Sequence, residues 1–407
     1  MRKFDAPDAV RMAQSISFPR LVGGSGEVRG REKIKEMMSQ AGLQVDEQPF
    51  VFYPGLAWGI LRNLLFTGLA LLLAYRFLLS HAPRWGALLG LAVPIIAKQL
   101  WAAYRRASAE KLEDKSGAHP IHARFIANAR MQLQSANLVA DLPYAGPIRH
   151  HLVLSAHTDT KSQNMSIVTR ATMSILFGFG VFLLPIVTLP GLIWPAWLIG
   201  FTGAIWWTLW LLAVAGGVVL STLKVRDESA GALDDAGACG LLLGTAKSLM
   251  ADPPQGVAVR LVFTGAEELG LAGGYAYARQ AIADPDWKKA LHLNFEGVGG
   301  GSRVWLTTGT GPVKTGAGSK ADAMALAVKA CFAAGIEPKK LSRIIGGEAD
   351  HIPLVEAGLS ALTLMFAGKG GLAVHTAGDR PELIKEQHMN MAGKIALAAV
   401  NLLEEQK

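Results

Sequence analysis

The chain has 407 residues, enough for one large α/β domain or two smaller ones. Hydrophobic residues make up 51% and charged residues only 18%, against about 25% charged in ordinary soluble domains, and the mean hydropathy is +0.28, so part of the chain is expected to avoid water. The net charge is +8, but no run of Lys and Arg interleaved with aromatics occurs, which argues against nucleic acid as a partner.

Two cysteines, Cys239 and Cys331, make no disulfide framework; they suit a reducing compartment or are simply small buried residues. The first ten residues contain no apolar stretch of the kind a cleavable signal peptide needs. Arg31 to Ala41 has a helical pattern stopped by Gly42, and Leu43 to Tyr53 alternates like a strand.

From Leu56 to Tyr104 the composition changes. Asn63 to Tyr75 and Trp85 to Ala97 are uncharged, each short for a span of about 20 residues. Arg62, Arg76 and Lys98 can snorkel and extend them, so a membrane hairpin or an interfacial hairpin is expected over 56–104. Residues 105–130 are polar and basic and return the chain to water.

Leu138 to Leu142 and His151 to Ala156 read as strands, the second ending at His157-Thr158-Asp159. Ala171 to Leu223 then contains no Asp, Glu, Lys, Arg or His. Two transmembrane helices with a turn near Pro190 to Pro195 fit this stretch, with Trp194, Trp197, Trp206, Trp207 and Trp210 as interface anchors. The alternative is a wholly buried core hairpin. Each hairpin returns to the side it left, so the remaining pieces, 1–55, 105–170 and 224–407, can form one discontinuous domain. Arg62, Lys98, Arg105, Arg106, Arg170, Lys224 and Arg226 flank the spans on that side, while Arg76 and Arg84 sit at the first tip. The positive-inside rule then places the domain in the cytoplasm, anchored to an inner or plasma membrane.

After Arg226 the pattern alternates: helix Ala236–Ala251, strand Val257–Thr264, strand Leu291–Phe295, helix Ala321–Ala334, strand Ala361–Phe366 and helix Ile384–Glu404. That alternation predicts an α/β fold with helices on both faces of a sheet. Polar residues collect at strand ends and in Gly-rich turns: His157 and Asp159, Asp234-Asp235 in G-A-L-D-D-A-G, Glu267-Glu268, Glu296 and His375. Taken singly, His157 reads as a core histidine, Asp234-Asp235 as a helix N-cap and Glu267-Glu268 as a solvated turn. Together they offer imidazole nitrogens and carboxylate oxygens for two adjacent metal ions, plus a spare carboxylate for proton transfer. Asp350-His351 reads as a helix start, Asp379 as a brace for the His375 loop, and Gly273-Gly274 as a close packing contact.

The ordered set H-T-D, G-A-L-D-D, T-G-A-E-E-L-G-L, N-F-E-G and H-T-A-G-D resembles the co-catalytic zinc aminopeptidases, whose relatives include leucyl-type aminopeptidases, glutamate carboxypeptidase and glutaminyl cyclase. The likeness covers roughly residues 12–55, 131–165 and 224–405, with S-F-P-R-L-V-G-G-S-G-E matching the family's opening segment; the hairpins look like insertions. It implies a three-layer α/β/α sandwich with a mixed central sheet and two zinc ions per chain. Asp234 would bridge the ions through a cis peptide bond to Asp235, with Glu268 and His375 on one ion and His157 and Glu296 on the other. Glu267 would be general base and acid, and Asp159 would orient His157. The implied reaction is removal of N-terminal residues from peptides. Because the second hairpin begins soon after His157 and Asp159 and ends just before Asp234, the active-site mouth is expected near the bilayer, with membrane-associated peptides among the substrates. Single-zinc cyclisation of N-terminal Gln, or a non-catalytic receptor role, are the alternatives.

Overall fold

The computed structural model of the protein describes residues 2–82, 132–194, 201–307, 320–341 and 348–406, with positions 84–86, 88–90, 92, 95, 96 and 99. The chain divides into two units: Met1–Phe52, Leu133–Asn164 and Val225–Lys407 form the first, and Tyr53–Gln132 with Met165–Lys224 the second. The expected polar return over 105–130, with Arg105 and Arg106, and also Lys98 and Trp197, lie outside the described residues.

In chain order the first elements are α1 (Ala6–Ser15), α2 (Ser25–Gln40) and β1 (Asp46–Phe52), followed by α3 (Pro54–His81), β2 (Leu133–Asp141), β3 (Ala145–His157) and β4 (Ser162–Gln163). Helices α4 (Ile167–Thr188) and α5 (Phe201–Ser221) precede β5 (Val225–Arg226), α6 (Gly237–Ala251), β6 (Gln255–Thr264) and α7 (Ala272–Ala283). The chain closes with β7 (Leu291–Glu296), β8 (Arg303–Thr307), α8 (Lys320–Ala333), β9 (Lys339–Leu341), α9 (His351–Glu356), β10 (Ser360–Ala367) and α10 (Glu386–Glu404).

Eight strands of the first unit form one mixed sheet in the order β1-β2-β6-β3-β7-β10-β8-β9. The centre, β6-β3-β7-β10, is parallel; β1, β2 and β8 run antiparallel to their inner neighbours. Strand alternation divides the core. Leu152 and Leu154 of β3 and Val259, Leu261 and Phe263 of β6 face a core shared with α1, α2, α6, α8 and α10. Val153, Ala258 and Val262 face the opposite core, closed by α7 and α9. These are the three layers expected from the strand–helix alternation.

Local chemistry sets the helix boundaries. Asp5 caps α1 by accepting the Asp8 N–H at 3.0 Å, and Pro7 sits in the first turn, where its missing N–H costs nothing. Helix α2 starts at Ser25, earlier than the apolar period of Arg31 to Ala41 implied. Helix α10 starts at Glu386, because the chain before it makes a 3-10 turn over Pro381–Leu383.

In the second unit, α4 and the Gly203–Ser221 portion of α5 are long and apolar enough to cross a membrane. Only 18% and 22% of their apolar windows are buried, less than the wholly buried core hairpin would show. Ile175, Phe179, Phe182, Ile186, Leu211 and Val218 are exposed. Helix α3 runs without a break through Arg76, so this arginine is not at a hairpin tip. Its guanidinium lies over Trp207 at 4.1 Å and Trp206 at 5.4 Å. Trp206 is itself buried with Leu72, Tyr75, Leu184 and Ala213, not an outer anchor. The Trp210 indole N–H donates to the Leu72 carbonyl at 2.9 Å, and Tyr75 and Thr188 join hydroxyls. The expected helix Trp85 to Ala97 falls partly outside the described residues; its described positions 85, 86, 88–90, 92, 95 and 96 are helical.

Candidate metal centre

The four parallel strands deliver the site from their C-terminal ends. His157 ends β3, Glu296 ends β7, Glu267 and Glu268 follow β6 by a short turn, and His375 lies in the loop after β10. The sheet register aligns them: His157 pairs with Thr264, and Glu296 with Met365. Ligands in open α/β sheets sit at this edge because loops there can converge without breaking the ladder.

Asp234 stands at the middle. It lies in a kinked segment, Ala232–Ala236, before α6, with a cis peptide bond to Asp235. Its Oδ1 is 2.9 Å from His157 Nε2 and its Oδ2 is 2.9 Å from His375 Nε2. Glu296 Oε2 is 3.6 Å from His157 Nε2, and Glu268 Oε2 is 3.1 Å from His375 Nε2. Two triads result, His157–Asp234–Glu296 and Asp234–Glu268–His375, the donor atoms of each within 4.8 Å of one another. Zinc bonds of about 2.0–2.2 Å to nitrogen and oxygen put tetrahedral donors about 3.3–3.5 Å apart, so these donor sets fit zinc in type and spacing.

Backbone pinning holds the constellation. Asp379 accepts the N–H groups of Leu233 (2.8 Å) and Asp234 (3.2 Å), so it braces the Asp234 segment as well as its own loop. Arg20 is almost fully buried and donates to the carbonyls of Thr158 (2.7 Å), Phe18 (2.8 Å), Ala230 (2.9 Å) and Gly231 (3.2 Å). It thereby ties the His157 loop to the approach of Asp234. Gly231 has φ +55°, and a Cβ there would lie 2.0 Å from Thr160 Cγ2. The non-glycine residues with left-handed backbone among the described ones are Ala266, Leu271 and His375, all in loops that carry site residues. Such conformations cost about 1–3 kcal/mol each and persist where surroundings dictate them.

Asp159 meets His157 through both its backbone and its side chain. The His157 Nδ1 is 3.1 Å from the Asp159 carbonyl oxygen but 3.6 Å from the carboxylate. The carboxylate accepts the N–H of Glu267 at 3.0 Å and of Glu268 at 3.1 Å, fixing that turn. Asn294 donates to Glu296 at 3.2 Å and accepts from Ser155 at 2.9 Å. Asp350 begins α9 without capping it; its buried carboxylate meets the Thr264 hydroxyl, and burial pushes it up to about 7. A Cβ on Gly273 would lie 2.2 Å from the Gly265 carbonyl oxygen, the close packing expected there. Arg20, Lys161 and Asn294 were not singled out by the sequence, since a hydrogen bond to a carbonyl or amide leaves no periodic trace.

Crowded carboxylates govern the electrostatics. Burial pushes Glu267 well above the usual carboxylate range; His157 opposes this, while Glu268 and Glu296 add to it. Burial likewise raises Glu296 and Asp235. Asp234 is held well below its usual range because His157 and His375 outweigh its burial. Burial disfavours charge on His157, yet Glu296 and Glu267 hold it well above its ordinary value. The pocket therefore draws positive charge to Nε2, the atom a cation would use.

Residues 215–400 match the sequence model of Peptidase family M28. Over those residues the chain is similar to that family. It is 27% identical over 192 residues to Aminopeptidase YwaD of Bacillus subtilis (strain 168); the aligned part is 42% of this chain and only 37% of that protein's length. Among solved structures, an aminopeptidase from Aneurinibacillus sp. strain AM-1 superposes with a TM-score of 0.55 at 15% identity, covering 98% of this chain and 93% of the other. Fimbriiglobus ruber glutaminyl cyclase gives 0.55 at 16%, covering 100% and 98%. BSAP, a zinc aminopeptidase from Bacillus subtilis, gives 0.54 at 14%, covering 100% and 98%. These likenesses establish the fold: a mixed-sheet α/β/α sandwich of the zinc aminopeptidase type.

Proposed function

We propose that the chain is a membrane-anchored aminopeptidase that works with two zinc ions per chain. The observation that carries this reading is Asp234, each of whose oxygens lies 2.9 Å from a different histidine, with a glutamate beside each histidine. His157, Asp234 and Glu296 would hold one ion and Asp234, Glu268 and His375 the other. Bound there, the pair supplies Lewis acidity toward a peptide carbonyl and makes water a better nucleophile at neutral pH.

The chain's own residues do the rest. The Glu267 carboxyl makes no hydrogen bond among the described residues, and its raised proton affinity suits it to take a proton from the attacking water and return it to the leaving amine. Asp159 keeps Glu267 and Glu268 in register by holding both backbone N–H groups. The substrate is a peptide with a free N-terminus, and peptides gathered at a bilayer are the class that anchoring would favour. The anchor is α4 with α5, whose apolar surfaces suit lipid, and Arg170, Lys224 and Arg226 at their ends favour a cytoplasmic catalytic unit of an inner or plasma membrane protein. Cyclisation with a single zinc would leave His157 and Glu296 without a task.

Glu267→Gln tests the reading. Turnover of amino-acid amides should fall by about 10²–10⁴-fold, the usual contribution of a general base, while bound zinc stays at two per chain. Undiminished hydrolysis, or zinc lost together with activity, would remove Glu267 from this role.

A further inference from the structure

Lys161 lies just past Asp159, on the way to β4, and neither triad calls for a cation there. Its ammonium is 2.6 Å from Glu268 Oε2 and 3.1 Å from the Glu268 carbonyl oxygen, and its backbone N–H donates to Glu268 Oε1 at 3.2 Å. Oε2 is also the oxygen that stands 3.1 Å from His375 Nε2. One triad therefore shares its carboxylate with a resident positive charge. The other does not: Glu296 takes an uncharged amide from Asn294 and, among the described residues, makes no ion pair with a lysine or arginine.

An ammonium at that distance repels a neighbouring divalent cation and competes for the lone pairs the cation needs. Building on the two-zinc reading, we infer that Lys161 makes the two metal positions unequal. The His157–Asp234–Glu296 position fills first and holds its ion tightly; the Asp234–Glu268–His375 position fills second and exchanges. When the second position is empty, the ammonium supplies the counter-charge, so Glu268 is never a buried carboxylate without a partner. Filling that position requires the ammonium to leave Oε2, and the Lys161 side chain, 13% exposed, has an outlet to solvent. Lys161 is thus a positioning residue that acts through Glu268, and not a ligand.

The test uses the full chain in detergent, stripped with a chelator and titrated with Zn²⁺ against a chromophoric competitor, with bound metal counted by mass spectrometry. Wild type should show two steps separated by about tenfold or more. Lys161→Met should tighten the weaker step by about tenfold or more and leave the tighter one in place, whereas Lys161→Arg should keep them apart. His375→Ala should delete the weaker step alone, which assigns it. Two equal steps in wild type, or a weaker step that Lys161→Met does not move, would overturn the inference and leave the two-zinc reading standing. A single ion at most in both wild type and Lys161→Met would overturn the two-zinc reading and the inference with it.

Discussion

Asparagine in place of Asp159 isolates what that carboxylate does. Asp159 is fully buried, and its two oxygens each accept one backbone N–H, from Glu267 at 3.0 Å and Glu268 at 3.1 Å. Asparagine keeps the shape but offers a single acceptor oxygen, and its amide would confront the other N–H donor to donor. One charge-assisted bond worth about 1.5–3 kcal/mol is lost, and the N–H left buried without a partner costs about 1–3 kcal/mol more. Together this is about 2.5–6 kcal/mol, which the Glu267-Glu268 turn would relieve by shifting. A shift of about 1 Å in the proposed base costs up to about 10²-fold in rate. The assay is kcat on an amino-acid amide panel at saturating zinc, with bound zinc counted on the same sample. We expect kcat to fall by about 10²-fold while zinc stays at the wild-type count. If Asp159 instead served mainly to orient His157, zinc would be lost from the His157–Asp234–Glu296 position; that result, or a kcat near wild type, would refute the reasoning.

His292, inside β7, has neither ring nitrogen bonded among the described residues, and burial lowers its pKa to about 3. An unfolded histidine titrates near 6.5, so between about pH 6.5 and 3 the unfolded chain binds a proton that the folded chain refuses, and stability is lost as pH falls through that window. At pH 4.5 the penalty is about 2–3 kcal/mol, and His292→Phe should remove it; thermal unfolding of both proteins from pH 7 to 4.5 should show a flatter slope for the variant, and parallel slopes would sink the argument. Gly231→Ala puts a Cβ 2.0 Å from Thr160 Cγ2 at a left-handed φ, so zinc binding should weaken sharply. Removing the clashing methyl with Thr160→Ser should restore part of it, and a double variant as impaired as the single would show that the contact is not the cause. For topology, Cys239 and Cys331 are buried, so an introduced cysteine reports alone. Ile193→Cys, at a position 92% exposed between α4 and α5, should react with an impermeant maleimide in intact spheroplasts, and Lys288→Cys only after lysis; the reverse pattern would place the catalytic unit outside.

Strand ends were the most legible part of this molecule. An apolar run inside a sheet stops where a polar side chain must turn outward, which is why β3 and β7 could be read as far as His157 and Glu296. The short strands β8 and β9, five and three residues long with β9 at the sheet edge, escaped notice because each is too brief to show alternation against its neighbours. Helix α7 was hidden by Gly273 and Gly274, which suggest a loop but lie in its first turn, where the close approach of Gly265 and Asp350 leaves no room for a side chain. Asp234-Asp235 was visible as a pair but not as a kink between Gly231 and α6, because the backbone there is fixed from outside by Arg20 and Asp379, far away in sequence.

Those distant anchors bear on why the proposed site would draw cations. Asp159, Asp234, Glu267, Glu268, Glu296 and Asp350 crowd one sheet edge, with His157, His375 and Lys161 as the nearby positive or protonatable groups. Six buried or half-buried carboxyls cannot all ionise in so small a volume without imported charge; burial already pushes Glu267, Glu296 and Asp350 up. A structural role would have been met more cheaply by apolar side chains of the same size. The geometry instead keeps imidazole nitrogens and carboxylate oxygens within 2.9–3.6 Å of one another and holds them there through carbonyls and N–H groups drawn from four loops. Acid repulsion held by that much rigid backbone is what the proposed two-zinc site would need to bind its ions strongly and leave one carboxylate, Glu267, for proton transfer.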